Sequence, residues 1–322
     1  MPGGVLLIEY GIVEDGLTAF LITSRSATQI SWKTNTKALR QKSLRIRPLL
    51  ASANSGDEWK SLLAEIAEVV IKPLEAQLTS DVKNVIIVPA GALSYLPFQL
   101  LLDRYTVSYL PSGSTLAYLP TRATKGGKLF LGALGNTSVS GMAPLPGTLV
   151  EVANIAKAFP PTLRLEEKTF TRDSARNALE QYDQVHFATH GILDERAPLF
   201  SALLTSPAPN QPSRLSLYEI TEVPLKARLV VLSACETGLG KLLAGDEVVG
   251  LTRTFLSAGA NTVVSSLWKV SDESTALLME SFYRNLSAGK GPAEAMHAAS
   301  SIVRAKYPHP FYWAPFVVTG SF

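Results

Sequence analysis

The chain has 322 residues, 46% of them hydrophobic and 18% charged, with a formal net charge of +3 and one cysteine. That balance excludes a disordered chain, and the single Cys excludes an intrachain disulfide or a Cys-rich zinc site. No run of 18 apolar residues occurs and only four His are present, so no membrane span, metal or cofactor is expected.

The N-terminus carries the short apolar run VLLIEY without a basic stretch before it, which argues against a signal peptide and for a reduced, cytoplasmic chain. VLLIEY, LTAFLIT and ATQISW read as antiparallel strands separated by polar or Gly-containing breaks. Lys33, Lys37, Arg40, Lys42, Arg45 and Arg47 follow with no acid among them. The stretch has no interleaved aromatics, so it reads as a solvated face or a protein-docking surface, and nucleic acid is not expected to bind it directly. Between Trp59 and Leu78 apolar residues recur at helical spacing, with Pro73 expected to bend or interrupt the helix. NVIIVPAGALSYLPFQLLL runs from a buried-type strand through a Pro-Gly turn into an apolar helix start, and YTVSYLP is a further strand. The polar stretch GSTLAYLPTRATKGGK marks a boundary near residue 125.

Beyond it strands and helices alternate. KLFLGAL, DQVHFATHG, ARLVVLSACETG and NTVVSSLWKV read as strands. LVEVANIAKAF, SARNALEQY, EVVGLTRTFLSAGA, STALLMESFYRNL and PAEAMHAASSIVRAKY read as helices, the last with Pro292 at its favoured first position. Such alternation predicts an α/β fold with a mostly parallel sheet.

In open α/β sheets reactive groups collect beyond the carboxyl ends of the strands. Val185–Ala188 runs out into Thr189, His190 and Gly191, and Leu229–Ser233 runs out into Ala234, Cys235, Glu236, Thr237 and Gly238. His190 and Cys235 are 45 residues apart, enough for a crossover between parallel neighbours. If the two strands are adjacent, an imidazole and a thiol meet at one edge. That pair suits acyl transfer: the imidazole helps form the thiolate and then protonates the leaving amine. The amides of Gly191 and Cys235 are the natural donors to an oxyanion. Against this, a lone Cys at the end of an apolar strand is often a small core residue, and His186 reads as a packed core histidine. CETGLGKL is not a phosphate-binding loop, which requires Gly where Cys235 stands and Ser or Thr where Leu242 stands.

His-Phe-Ala-Thr-His-Gly at 186–191 and Leu-Ser-Ala-Cys-Glu-Thr-Gly at 232–238 resemble the two catalytic blocks of the CHAT family, caspase-like cysteine peptidases related to separase and gingipain. VPAGALSYLPFQLLL at 88–102, ALGN at 133–136, LPGTLVEVANIAKAF at 145–159, the stretch 244–275 and WAPFVVTG at 313–320 are also similar to the family's blocks. The resemblance implies a caspase-like three-layer sandwich with a mostly parallel central sheet. Residues 1–125 would be a degenerate caspase-like half with antiparallel strands, and 126–322 the active protease half.

The same resemblance makes Cys235 the nucleophile, His190 the general base and acid, and the Gly191 and Cys235 amides the oxyanion hole. Ser233 replaces the Gln of the caspase signature Gln-Ala-Cys-Arg-Gly, which argues against caspase-type Asp specificity. SSLWKV is implied to pair with a substrate as an added strand, making Ser265, Ser266, Leu267 and Trp268 cleft residues. Asp272 and Glu273 are candidate acceptors of a basic P1 side chain; Asp272 reads equally as a helix N-terminal cap, and relatives cutting after apolar residues leave P1 open. Asp246 and Glu247 are loop-ordering acids near Cys235 or the first turn of the next helix.

The implied function is a cysteine endopeptidase that cleaves a specific protein partner. Members often follow tetratricopeptide repeats, absent from this sequence, so a regulatory protein partner or an upstream region is implied. Bacterial defence is one family theme. The alternative from another class is a catalytically silent caspase-like scaffold or sensor.

Overall fold

A computed structural model describes residues 1–119, 127–137, 142–160, 162–192, 194, 196–233, 252–268 and 271–321. The chain opens with an antiparallel meander of β1 (Val5–Val13), β2 (Gly16–Ile22) and β3 (Ala27–Lys33). Helices α1 (Thr36–Leu50) and α2 (Glu58–Val70) precede β4 (Asn84–Val88), α3 (Phe98–Leu101) and β5 (Thr106–Tyr109). Next come β6 (Leu129–Ala133), α4 (Gly147–Ala158), β7 (Leu163–Glu166), α5 (Arg172–Gln181) and β8 (Gln184–Ala188). After β8, the short strands β9 (Gly191–Ile192), β10 (Ala202–Leu204) and β11 (Arg214–Ser216) form their own antiparallel sheet. The chain continues through α6 (Leu217–Thr221), β12 (Leu229–Ser233), β13 (Thr262–Ser266), α7 (Asp272–Ser287), α8 (Pro292–Lys306) and β14 (Phe316–Gly320).

Among the described residues eleven strands form one sheet in the order β3-β2-β1-β4-β5-β14-β13-β12-β8-β6-β7. The run β7-β6-β8-β12-β13 is parallel, as is β1-β4-β5, while β14 lies antiparallel to β13. Strands that read as unbroken apolar runs in sequence alternate between two cores, because successive side chains leave opposite faces of a pleated strand. Leu129, Leu131, Leu229, Val231 and Val264 join the core under α4, α7 and α8; Phe130, Val185, Phe187, Val230, Leu232 and Val263 join the opposite one. The result is the expected sandwich of helices on both faces of a mostly parallel sheet. The boundary expected near residue 125 falls in 120–126, outside the described residues, and the sheet crosses from β5 to β14 through the pair Tyr109 and Thr319.

The apolar stretch from Trp59 is helical to Val70, after which Pro73 sits near the start of a 3-10 turn, Lys72–Gln77. The basic stretch folds mostly into α1, where Asn35 caps the helix by accepting from Ala38 N at 3.0 Å and Leu39, Ile46 and Leu50 are buried. Lys42 and Arg45 pair with Glu65 and Glu58 of α2. The spacing of Leu39, Ile46 and Leu50 carried that helix in sequence, but the charge run obscured it.

The N-terminal part packs around two buried phenols. Tyr10 donates to the Val70 carbonyl at 3.1 Å; Tyr109 donates to Gln99 Oε1 at 2.6 Å and accepts from Phe98 N at 2.7 Å. Burial pushes both phenols well above the ordinary tyrosine value. Because the folded value exceeds the unfolded one, the stability they confer is complete below about pH 10 and is lost as pH rises above it. Urea unfolding at stepped alkaline pH is expected to show this decline, and a Tyr10→Phe, Tyr109→Phe variant should decline less steeply. An equal slope in both proteins would remove the phenols as its source.

Candidate active site

β8 and β12 are parallel neighbours, with Ala188 opposite Ser233. These two residues are separated by the same 45 positions as His190 and Cys235, each of which lies two residues further along its chain. Cys235 lies outside the described residues, as do Asp246 and Glu247. The strands that deliver the two blocks are therefore adjacent.

His190 is fully buried, and its Nε2 lies 2.7 Å from the Ala143 carbonyl oxygen. A carbonyl only accepts, so Nε2 carries the proton and Nδ1 is the basic nitrogen of the neutral ring. The His190 carbonyl accepts from Leu204 N at 2.9 Å, and Thr189 Oγ1 donates to Leu204 O at 2.8 Å, so the backbone on both sides of the ring is tied to β10. Gly191 faces Leu203 in the same ladder. A bond from Leu204 N to His190 O makes Gly191 and Leu203 a non-hydrogen-bonded pair, whose amides point away from each other's strand. The Gly191 N–H is thus directed out of the small sheet.

The carbonyl that holds His190 belongs to the connection between β6 and α4. Glu167, at a left-handed φ of 49°, sends its carboxylate to the amides of Gly135 and Asn136 at 3.2 and 3.1 Å. Leu145 N donates to Gly135 O at 2.7 Å, and Thr137 Oγ1 approaches the Ala143 and Met142 carbonyls at 2.6 and 3.0 Å. None of these contacts was visible in sequence: a backbone carbonyl has no residue identity, and the ALGN block offered only position.

The remaining predicted residues take several places. Ser233 is buried at the end of β12. Ser265 and Ser266 are buried within β13, which is paired to β12 on one side and β14 on the other; Ser265 Oγ lies 3.4 Å from Thr252 Oγ1. Both edges of β13 are thereby used, leaving an added strand only the backbone beyond it. Leu267 N donates to Pro315 O at 2.7 Å, and Leu267 O accepts from Arg47 Nη2 at 3.0 Å. Trp268 is a core residue, 3% exposed, its indole N–H donating to Phe311 O at 3.2 Å. Asp272 opens α7 and accepts from Gly147 N at 3.1 Å, at the start of α4. Glu273 accepts from the Tyr307 hydroxyl at 2.7 Å and from Lys306 at 3.1 Å, and these donors hold its carboxyl below the usual range.

Within β8, four residues before His190, His186 is buried between two polar partners. Its Nδ1 is 3.2 Å from the Tyr283 hydroxyl, and its Nε2 is 3.1 Å from Glu151 Oε1, a close contact without hydrogen-bond alignment. Burial, with the nearby Glu151 charge, pushes the Tyr283 phenol well above its ordinary value, so it remains a donor. This group links β8 to α4 and α7 inside the core.

The CHAT domain profile matches residues 60–321. The chain belongs to the CHAT domain family. Tetratricopeptide repeat protein 28 of Mus musculus is 24% identical over 331 residues, covering 81% of this chain, and the Homo sapiens protein is 24% identical over 325. This CHAT chain spans 13% of the length of those relatives. Its fold is similar to Saccharomyces cerevisiae separase in complex with securin, with a TM-score of 0.65 at 10% identity over 98% of this chain and 30% of that one. The Arg specific cysteine proteinase gingipain R matches with a TM-score of 0.52 at 10% identity, covering 88% of this chain and 73% of that one. The CHAT chain therefore has the fold of caspase-like cysteine peptidases. No described helix is long and apolar enough to cross a membrane.

Tyr283→Phe keeps the ring and removes the hydroxyl, leaving His186 Nδ1 in the core without that partner. The variant is expected to lose about 1–3 kcal/mol of unfolding free energy in urea. A loss within experimental error would mean the phenol adds nothing to the core.

Proposed function

We propose that this protein is a cysteine endopeptidase in which Cys235 is the nucleophile and His190 the proton carrier. One observation carries the reading. His190 stands past the end of β8 with its Nε2 proton committed to the Ala143 carbonyl, and β12, the neighbouring strand in register, leads to Cys235.

In the proposed reaction His190 Nδ1 takes the thiol proton, and the Cys235 thiolate attacks the scissile carbonyl carbon. The carbonyl π electrons move to oxygen, where the Gly191 and Cys235 amides stabilise the charge. Collapse of the tetrahedral intermediate breaks the C–N bond, and His190 gives its proton to the departing amine. Water, deprotonated by His190, then releases the acyl group and regenerates the thiol.

We place the substrate, a segment of a specific protein partner, as an added strand against the chain past Leu267, because β13 itself has no open edge. Asp272 is committed to Gly147 at the start of α4, which supports a P1 pocket that does not depend on its carboxylate. Regulation by a second protein, in a cytoplasmic setting of bacterial defence, completes the proposal; it extends the family resemblance.

A fluorescent haloacetamide should label Cys235 at neutral pH, and His190→Ala should slow labelling by 10²-fold or more. Equal rates in the two proteins would sink the reading and leave the scaffold alternative. In a P1-varied peptide library, Asp272→Asn should keep the P1 preference of the parent chain. A loss of cleavage after Arg or Lys in that variant alone would instead make Asp272 the specificity residue.

A further inference from the structure

His190 is fixed by a loop carbonyl, and a loop carbonyl is a soft support unless something fixes it in turn. Ala143 lies in neither helix nor strand. Thr137 is 2% exposed, and its Oγ1 lies 2.6 Å from the Ala143 oxygen and 3.0 Å from that of Met142. The hydroxyl has one proton to give, and the shorter contact is to Ala143. The Ala143 oxygen therefore receives two donors, Thr137 Oγ1 and His190 Nε2, one for each lone pair. The residues just before Thr137 are anchored separately, by Glu167 on the amides of Gly135 and Asn136.

We infer that Thr137 is a positioning residue for His190, acting through the Ala143 carbonyl. Resting on the peptidase reading above, this assigns the hydroxyl a task that packing alone does not explain. It aims the carbonyl so that the imidazole is held in one orientation and one tautomer, with the proton on Nε2 and the lone pair on Nδ1. Without the hydroxyl the carbonyl can swing about its peptide plane, and the ring loses the contact that selects its tautomer. Thr137→Val keeps the shape and removes only the donor; Thr137→Ser restores the donor and removes only a methyl group.

The test uses the full chain. The rate of Cys235 alkylation by iodoacetamide is measured against pH in the parent, Thr137→Val, Thr137→Ser and His190→Ala proteins. In parallel, ¹⁵N-histidine NMR reads the His190 tautomer, with His190→Ala identifying the signal among the four histidines. Expected are a roughly tenfold slower alkylation at neutral pH in Thr137→Val, its profile shifted toward that of an ordinary thiol, recovery in Thr137→Ser, and a mixture of His190 tautomers only in Thr137→Val. A Thr137→Val protein with the parent profile and the parent tautomer overturns the inference, as does a Thr137→Ser protein that behaves like Thr137→Val. If the parent and His190→Ala profiles coincide, the peptidase reading fails. The tautomer spectrum then decides the role of Thr137 alone: mixed tautomers in Thr137→Val uphold it, and an unchanged Nε2–H signal overturns it.

Discussion

Parallel pairing of β8 with β12, in the register that sets Ala188 against Ser233, is the constraint on which the rest depends. It brings two chain segments from distant parts of the sequence to one sheet edge and keeps them level. A slip by one residue would turn every side chain of β8 to the other face, putting Phe187 among the residues under α4 and α7. The two cores prevent this. Val185 and Phe187 fill one, while Ala188 fills the other and His186 meets Glu151 and Tyr283 on that face. Turning His186 away from Tyr283 would cost its buried Nδ1 that hydrogen-bond partner, which adds to the penalty for a slip.

The two ends of the sheet share one buried core, to which residues from Leu6 to Val318 contribute. Between β5 and β14 the ladder contributes one residue pair, and side-chain hydrogen bonds cross the seam as well. Gln99 donates to Ala314 O at 2.8 Å, Ser55 meets His309 at 3.1 Å, and Arg47 reaches Leu267 O. The last of these reaches Leu267, the residue that follows β13. An arginine of the N-terminal helix α1 thus ties down the chain just past a C-terminal strand.

Much of the architecture was legible in sequence. The runs that became β6, β8, β12 and β13 are rich in β-branched and apolar residues bounded by turns, and the helices between them carry their apolar positions at helical spacing. The small sheet was not legible, because β9, β10 and β11 are two or three residues long and too short to show a period. Trp268 was expected in a cleft and packs in the core. A large aromatic has the same identity in either place, and only the core it packs into and the Phe311 carbonyl that takes its indole N–H decide between them. Ser265 and Ser266 were expected beside a substrate and lie within β13, since a strand with partners on both sides has no edge to offer.

The sequence by itself determined the class of fold, the two blocks at strand ends and their spacing, because hydrophobic periodicity and turn residues are local properties of the chain. It also determined that a thiol mechanism can use only Cys235, since no other cysteine exists. The tertiary structure decided which strands are neighbours, which nitrogen of His190 carries the proton, and that Asp272 and Glu273 are engaged by Gly147 and by Lys306 and Tyr307. Those outcomes depend on backbone carbonyls and amides meeting side chains far away in sequence. Every residue carries the same backbone groups, so only the folded chain singles out the ones that matter.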